Sequence, residues 1–222
     1  MSKTKEVERE LGQLAVNGKI PATLCMIDLE TLDVRPSAVV LSVGVAIGDP
    51  MMDLSIHEPL VYAAGGPAVS DQLAQGRTIG LSTVEWWLKT PARAAEAGQL
   101  IKNSCSPRQE GFTSLLRIIR ESVYTAGPTA VVCSCGPSFD LTIMESLVAP
   151  CLGAGNSPLW TARQERCYRT YREMFSLLLP GSVWKQQHRP EGEDVHRADE
   201  DAKRQWLNVA SGYQALVKQY KL

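Results

Sequence analysis

Apolar runs and breakers predict five strands along the chain. The first two come from the runs TLCMIDLET and VVLSVGVAIGD, which the segment RPSA separates, so an antiparallel hairpin is expected. Residues 55–62 are expected to form a third strand. The fourth comes from TAVVCSCG, which ends at a glycine, and the fifth from the start of RCYRTYREMFSLL, which continues as a helix.

Helical periodicity covers much of the remaining chain. The stretch STVEWWLKTPARAAEA has an N-cap signal at Ser82 or Thr83, and Pro91 stops or restarts its helix. Residues 109–124 repeat apolar side chains at helical spacing. This predicts one buried stripe, formed by Phe112, Leu115, Leu116, Ile119 and Val123.

Two further helices and the order of the elements indicate the fold class. Ser138 is expected to cap a helix that starts with FDLTIMESLV, and a final helix runs from about Ala198 towards Lys221. This order of elements favours an α/β protein in which helices flank a mixed five-stranded sheet. We expect residues 1–20 to form an arm or a helix and residues 21–222 to form one domain.

Composition and charge narrow the function classes. The chain has 222 residues, and 44% of them are hydrophobic, as in soluble globular proteins. No apolar run approaches the roughly 20 residues that a membrane span needs. The charged start MSKTKEVERELGQL does not resemble a secretory signal, so a cytoplasmic location is expected. The net charge of -1 gives no global basic signal, but an enzyme that holds one strand end through metal ions needs only a local one.

The six cysteines are predicted to be free thiols. They occur without the paired spacing that zinc sites normally show. The one close pair, Cys133 and Cys135, lies in an apolar run that is predicted to be a strand, where alternate residues share one face.

Asp28 and Glu30 are the first candidates for chemistry, because they end an apolar strand. Side chains two residues apart on a strand point to the same face, so both carboxylates project together. Two like charges in an apolar sheet need protons or a cation to neutralise them, and hard divalent ions prefer oxygen ligands. A solvated strand end is the ordinary alternative for this motif taken alone.

Asp140 and the pair His196 and Asp201 extend this candidate set. Asp140 follows Gly136 at the turn from a strand into a helix, the carboxyl end at which α/β sheets place their sites. Asp201 lies in the first turns of the last helix, and His196 lies in the loop before it. Taken separately, each has an ordinary alternative, as an acid that complements a helix dipole or as an exposed loop histidine.

The order of these residues is more specific than any of them alone. An acid-x-acid strand, an acid after a middle strand and His-x-x-x-x-Asp on the last helix together resemble the histidine branch of the DEDD exonuclease superfamily. Residues 28–31 match the D-x-E-T form of its first motif. Residues 83–88, residues 136–140 and the pair Arg169-Thr170 are similar to those of the phage and mycobacterial exonuclease-like group, with the exodeoxyribonuclease of T-even phages as the best comparison.

That resemblance implies a ribonuclease H-like fold and a 3'-5' exonuclease that uses two Mg²⁺ or Mn²⁺ ions. By the same resemblance, Asp28 bridges both ions, and Asp140 acts on the second ion through water. Glu30 and Asp201 complete the site that binds the nucleophilic water. His196 takes the proton from that water, because the ordinary pKa of imidazole, about 6.5, is close to the working pH.

The resemblance also predicts where the nucleic acid binds. The turn at Thr31 and Leu32 is expected to close over the terminal 3'-hydroxyl. Phe139 is expected to lie under that nucleotide, with a core position as the alternative. Trp86 and Trp87 are adjacent on a helix, so they cannot both be buried on one stripe. One of them is a candidate stacking platform for bases, and helix-to-sheet packing of both is the alternative.

Single-stranded nucleic acid is the expected substrate, with DNA favoured over RNA and nucleoside 5'-monophosphates as products. An exoribonuclease with the same chemistry and an inactive nucleic-acid-binding relative remain alternatives. A phosphatase or nucleotide-binding enzyme is disfavoured, because the chain has no phosphate loop of the G-x-x-x-x-G-K-[ST] type. A homodimer is left open, and a phage-encoded chain would act in the cytoplasm of a bacterial host.

Overall fold

The computed structural model describes residues 20–104, 110–152, 158–188 and 196–220. The strands are β1 (Thr23–Thr31), β2 (Val40–Gly48), β3 (Leu60–Gly65), β4 (Ala130–Ser134) and β5 (Glu165–Cys167). The helices are α1 (Val69–Ala74), α2 (Leu81–Leu88), α3 (Pro91–Ser104), α4 (Glu110–Ala126), α5 (Asp140–Leu152), α6 (Tyr168–Leu178) and α7 (Ala198–Tyr220). The arm or helix predicted over residues 1–20 lies outside the described residues except for its last position.

The strands form one mixed sheet in the order β3-β2-β1-β4-β5. β2 pairs antiparallel with β1 and with β3, whereas β4 pairs parallel with β1 and with β5. The predicted hairpin and the predicted five-stranded mixed sheet are therefore confirmed. The α/β fold is the ribonuclease H-like one that the motifs implied.

Side chains alternate across β1, so its two faces meet different helices. Ile27 and Leu29 belong to a buried cluster with apolar side chains of α4 and α5. Met26 belongs to a second buried cluster, with side chains of α6 and α7. Asp28 and Glu30 continue this second face, so strand alternation turns both carboxylates towards α7.

The apolar stripe predicted for α4 packs against the sheet, and so does an apolar side of α7. Trp206 of α7 is fully buried, and its Nε1 donates a hydrogen bond to the carbonyl oxygen of Leu24 at 2.9 Å. All five predicted stripe residues of α4 are buried, namely Phe112, Leu115, Leu116, Ile119 and Val123. Within the described ranges, no helix is long and apolar enough to cross a bilayer.

The structure describes the side chains of four cysteines, and all four are free thiols. They are Cys25, Cys133, Cys135 and Cys167. The prediction of free thiols is confirmed for these four, and for Cys105 and Cys151 it lies outside what the structure describes.

The third strand differs from its prediction, because β3 starts at Leu60 and not at Ser55. Residues 53–57 instead form a turn around Asp53. The side-chain carboxylate of Asp53 accepts a hydrogen bond from the backbone N–H of Ser55 at 2.9 Å. The backbone carbonyl oxygen of Asp53 accepts one from the backbone N–H of His57 at 2.9 Å. Such local hydrogen bonds compete with strand pairing, which explains the later start of β3.

Two helix starts also differ from their predictions. Gly80, and not Ser82 or Thr83, is the N-cap of α2. The Gly80 carbonyl oxygen accepts the N–H of Thr83 at 3.1 Å, so the first turn has already closed at these residues. α5 begins at Asp140, and Ser138 lies in the turn before it.

Candidate active site

Gly44 lets the start of α7 lie directly on the sheet. It pairs with Asp28 in the ladder between β1 and β2. A Cβ atom at position 44 would lie 2.0 Å from the carbonyl carbon of Ala198, so only glycine leaves room for the first residue of α7. This close approach brings the first turns of α7 over the carboxyl end of β1, where Asp28 and Glu30 project.

Asp201 and His196 meet Glu30 at this end of β1. Glu30 and Asp201 are both buried. The nearest ligand atoms of Glu30, His196 and Asp201 all lie within 4.8 Å of one another. Nδ1 of His196 lies 3.8 Å from Oδ2 of Asp201, and Oδ1 of Asp201 pairs with the guanidinium of Arg204. The structure therefore brings together an acid of β1, an acid of α7 and the predicted base.

Gln205 connects Asp28 to the same helix. It follows Asp201 by one turn of α7, and its amide nitrogen donates to Oδ1 of Asp28 at 2.8 Å. The amide oxygen of Gln205 is buried and has no hydrogen-bond partner among the residues that the structure describes. A buried oxygen without a donor is costly, so this atom indicates a position for a cation or a bound water next to Asp28.

A turn at Gly136 places Asp140 beside the same strand. Gly136 has a φ of 133°, a conformation that L side chains rarely adopt, and its carbonyl oxygen accepts the N–H of Asp140 at 3.2 Å. Asp140 is buried, and its Oδ1 accepts the N–H of Leu29 at 3.3 Å. This carboxylate is therefore fixed to the backbone of β1 between Asp28 and Glu30.

The carboxyl groups of the cluster change one another's pKa values. Burial is the main cause that raises the pKa of Asp28, and the charges of Asp140 and Asp201 raise it further. Burial also raises the pKa of Asp140 from 3.8 to about 7, although the hydrogen bond from the Leu29 N–H opposes this shift. Such a cluster favours protons or bound cations as its counter-charge.

Trp86 and Trp87 take different positions, as their adjacency on one helix predicted. Trp87 is buried, and its Nε1 donates to the carbonyl oxygen of Thr31 at 2.9 Å. Trp86 is 36% exposed, and its ring lies edge to face against the ring of His196, with centroids 4.9 Å apart. The guanidinium carbon of Arg93 lies 4.3 Å from the centroid of the Trp86 ring. α2 is thus anchored to the end of β1 and contacts the histidine of the cluster.

The residues predicted to bind the terminal nucleotide lie near the cluster with their side chains turned largely inwards. The hydroxyl of Thr31 donates to the carbonyl oxygen of Asp33 at 2.7 Å. Leu32 belongs to the same buried cluster as Trp87. Phe139 is partly buried and packs against the core between the sheet and the helices α4 and α5. Their roles in substrate binding stay predictions.

Sequence reasoning missed Arg204 and Gln205. Both follow Asp201 by about one helical turn, and residues three or four apart on a helix are neighbours. Gln205 also interrupts the stripe of α7 to which the buried residues Ala202 and Trp206 belong. A polar residue inside an apolar stripe, one turn from a candidate acid, is the sequence signal that indicates such a partner.

The donor set fits divalent cations. Carboxylate oxygens are the ligands that Mg²⁺ and Mn²⁺ prefer, and the cluster supplies them from β1, α5 and α7. Two observations indicate where a cation would sit. The ligand atoms of Glu30, His196 and Asp201 lie within 4.8 Å of one another, and the buried amide oxygen of Gln205 accepts no hydrogen bond from the described residues. The carboxylates that would hold the ions are those of Asp28, Glu30, Asp140 and Asp201.

A sequence match over most of the chain assigns the protein to a family of exoribonuclease-like domains. The chain belongs to the family described as the 3'-5' exoribonuclease Rv2179c-like domain, whose profile matches residues 23–212. The resemblance to a group of 3'-5' exonucleases that the motifs indicated is therefore confirmed by this family match. No curated protein sequence matches the chain.

Three solved structures of nucleases are similar to this chain. Cell-death related nuclease 4 (CRN-4) has 13% identity and a TM-score of 0.46, with 90% of this chain and 65% of CRN-4 covered. Escherichia coli exonuclease I in complex with a 5cy-dA13 oligonucleotide has 14% identity and a TM-score of 0.48, with 89% and 40% covered. The zinc-bound complex of the same enzyme with single-stranded DNA has 13% identity and a TM-score of 0.47, with 90% and 41% covered. The chain spans less than two thirds of each of these proteins.

Proposed function

We propose that the protein removes nucleoside 5'-monophosphates one at a time from the 3' end of a single-stranded nucleic acid, by hydrolysis that depends on two Mg²⁺ or Mn²⁺ ions. The observation that carries this proposal is the convergence of four acids from β1, α5 and α7 with a histidine from the loop before α7. A protein that only binds nucleic acid gains nothing from this cluster, because buried like charges are costly and repel phosphate.

The acids are proposed to hold two cations in different combinations. Asp28 interacts electrostatically with both Asp140 and Asp201, so we assign it to both cations. Glu30 and Asp201 lie near His196 and are assigned to the cation on the side of the nucleophilic water. Asp140 is assigned to the other cation. When bound, the two ions supply the activation of water and the neutralisation of charge on the departing 3'-oxygen.

His196 is proposed to act as the general base. Its ring is held from two directions, because Nδ1 lies 3.8 Å from Oδ2 of Asp201 and Trp86 packs edge to face against it. A ring nitrogen of His196 would accept a proton from the attacking water as the water oxygen bonds to the phosphorus of the terminal nucleotide. The bond from that phosphorus to the 3'-oxygen of the remaining strand breaks, and this oxygen takes a proton from solvent. His196 then releases its own proton to solvent.

His196→Ala separates a role as base from a role as metal ligand, since its ligand atom lies within 4.8 Å of those of Glu30 and Asp201. If His196 is a base, His196→Ala should keep the rise in Tm that Mg²⁺ causes. Turnover should fall by about 10²- to 10⁴-fold. Thermal melts with and without Mg²⁺ and single-turnover rates measure the two effects. Loss of the Mg²⁺ response would identify His196 as a ligand, and near-normal turnover would remove it from the mechanism.

RNA and DNA are both candidate substrates, each for a stated reason. The description of the matched family as an exoribonuclease domain favours RNA. The motifs that resemble the exodeoxyribonuclease of T-even phages favour DNA. Contacts to the 2'-hydroxyl decide between the two polymers, and one or two polar groups are enough to make them.

Matched single strands of DNA and RNA test the proposal. Each strand carries a 5' label and is incubated with the protein in Mg²⁺, in Mn²⁺ or in EDTA. We expect stepwise shortening in either metal, none in EDTA, and a faster rate for the natural polymer. Binding of both strands without shortening in any metal would contradict the proposal and would identify an inactive nucleic-acid-binding relative.

A further inference from the structure

Four arginines recur at every third position along one edge of the sheet. They run from the turn before β5 through the first turns of α6, and all four are exposed. One of them lies on β5, which is an edge strand of the sheet, one lies in the turn before it, and two lie on α6, which follows it. We call this set the arginine edge; it consists of Arg163, Arg166, Arg169 and Arg172.

The arginine edge concentrates positive charge in a chain that is slightly acidic. Residues 163–172 contain four arginines and one acid, Glu165, which gives this segment a net charge of +3. The whole chain carries -1, so the other residues together carry four net negative charges. The carboxylate of Glu165 accepts the Nε1 hydrogen of Trp160 at 3.2 Å. The local charge therefore contrasts with that of the remaining chain.

Arg169 joins the arginine edge to the acid cluster. Its guanidinium lies beside Gly136, where a Cβ atom would be 3.6 Å from Nη2 of Arg169. Gly136 forms the turn that places Asp140, and the charge of Arg169 lowers the pKa of that acid against the larger effect of burial. The arginine edge therefore begins at the carboxyl end of β4, next to the site of the proposed chemistry.

Arg166 and Arg172 continue the arginine edge away from the acids. Nη1 of Arg166 donates to the carbonyl oxygens of Arg163 at 2.8 Å and of Glu165 at 2.7 Å, so its guanidinium is held in one direction. A guanidinium that is already ordered loses less side-chain entropy when it binds an anion. Arg172 follows Arg169 by three residues on α6, so the two side chains are neighbours on the helix surface.

We propose that the arginine edge binds the phosphate backbone of the strand whose 3' end lies in the acid cluster. The inference rests on the proposed function and deepens it by naming the surface that holds the rest of the strand. Guanidinium groups bind phosphate oxygens through two parallel hydrogen bonds and read no base sequence. The acids repel phosphate wherever cations do not neutralise them, so a separate basic surface is needed to retain the strand.

Protection of a sheet edge is the ordinary role for exposed charges at this place. Charged side chains on an edge strand prevent pairing with another sheet. An arginine that only protects the edge would not contact the nucleic acid. The dependence of strand binding on salt separates the two roles, because each phosphate contact releases counterions and a protective charge does not.

The test measures binding of a fluorescent single strand of about 12 nucleotides, a length within the usual range for single-strand sites. Fluorescence anisotropy is followed in EDTA over a series of salt concentrations, so that hydrolysis does not interfere. The variants are Arg166→Gln, Arg172→Gln and the double substitution. Matched controls are Arg117→Gln and Arg120→Gln, which remove the same charge from α4.

We expect the slope of log affinity against log salt to become less steep by about 0.7 for each arginine removed from the edge. The slope of the α4 controls should equal that of the unchanged protein. Thermal melts confirm that the variants are folded. Equal slopes for the double variant and the unchanged protein would overturn the inference, as would an equal loss of slope in the controls.

Hydrolysis of a dinucleotide distinguishes failure of this inference from failure of the proposed function. According to the proposal, a dinucleotide occupies the acid cluster without extending to Arg166 or Arg172. Both variants should then hydrolyse the dinucleotide at the unchanged rate, while KM for the longer strand rises several-fold. Salt-dependent binding through the arginine edge without hydrolysis of any strand would support this inference and contradict the proposed function. Hydrolysis of both substrates with unchanged slopes would contradict the arginine edge alone.

Discussion

Asp140 binds its proton more tightly in the folded protein than in the unfolded chain. Burial raises its pKa from 3.8 to about 7, so between these pH values the folded protein binds more protons than the unfolded chain. The free energy of unfolding must then decrease as the pH rises through this window, and the raised pKa of Asp28 acts in the same direction. In EDTA, we therefore expect Tm to fall by several degrees between about pH 5 and about pH 8.

Mg²⁺ should weaken or reverse that trend, because it binds the deprotonated carboxylates. Melts in EDTA and in Mg²⁺ at several pH values measure the effect. Asp140→Asn should flatten the profile in EDTA. Asp53→Asn changes an exposed carboxylate in the turn before β3 and should leave the profile in this pH range unchanged. A Tm that rises with pH in EDTA would show that the acids are not buried as described.

Trp86 is expected to position His196. The edge-to-face contact between their rings, with centroids 4.9 Å apart, is of a kind worth about 0.5–1.5 kcal/mol. Trp86→Ala should therefore lower kcat on the order of tenfold and leave the Mg²⁺-induced rise in Tm intact. Leu88→Ala, at a position 64% exposed on the same helix, is the control.

A double substitution shows whether Trp86 acts through the histidine. If it does, Trp86→Ala combined with His196→Ala should be no slower than His196→Ala alone, because the two residues serve one step. If the fold losses in rate of the two single variants multiply in the double variant, Trp86 has a separate role, such as a stacking platform for a base.

Among the secondary-structure elements, the contact between β2 and the start of α7 determines the geometry of the site. Gly44→Ala would place a Cβ atom 2.0 Å from the Ala198 carbonyl carbon, so the first turn of α7 must move away from β1. We expect a loss of about 1–3 kcal/mol in the free energy of unfolding. Activity and the Mg²⁺-induced rise in Tm should be lost as well, because Asp201 moves with the helix.

Two other glycines provide controls for this prediction. Gly212→Ala also creates a clash on α7, because its Cβ would lie 2.3 Å from the ring of Phe175. It should destabilise the fold but preserve the response to Mg²⁺. Gly98 in α3 has no atom within 4 Å of the added Cβ, so Gly98→Ala should stabilise by about 0.5–1 kcal/mol. Equal loss of the Mg²⁺ response at positions 44 and 212 would contradict the specific role of Gly44.

Elements with a strong periodic pattern were predictable, and elements held by a single tertiary contact were not. β1 and α7 were predicted close to their observed bounds because their apolar patterns are long. α1 was not predicted, because it has only six residues and its signal is weak. Gln72 of α1 is fully buried, and its side chain bonds both the N–H and the carbonyl oxygen of Val40. No local pattern reveals a contact between residues that lie 32 positions apart.

For the whole molecule, the sequence predicted which acids are candidates but not how they are joined. Strand alternation was enough to place Asp28 and Glu30 on one face. The hydrogen bond from the Leu29 N–H to Asp140 spans 111 positions, and only the folded sheet shows it. The net charge of -1 likewise did not reveal the arginine edge, because composition averages over the whole surface. Spatial organisation is the part of the site that the sequence left open.

A 5'-labelled single strand of the polymer that the protein prefers, incubated in Mg²⁺ with the unchanged protein and with Asp28→Ala, tests the central claim most directly. We predict a ladder of labelled strands that shorten by one nucleotide at a time, with release of nucleoside 5'-monophosphates, and no ladder with Asp28→Ala. Asp53→Ala, which removes an exposed acid away from the site, should give the same ladder as the unchanged protein. Shortening by Asp28→Ala at the unchanged rate, or immediate release of the labelled 5' nucleotide, would contradict the account.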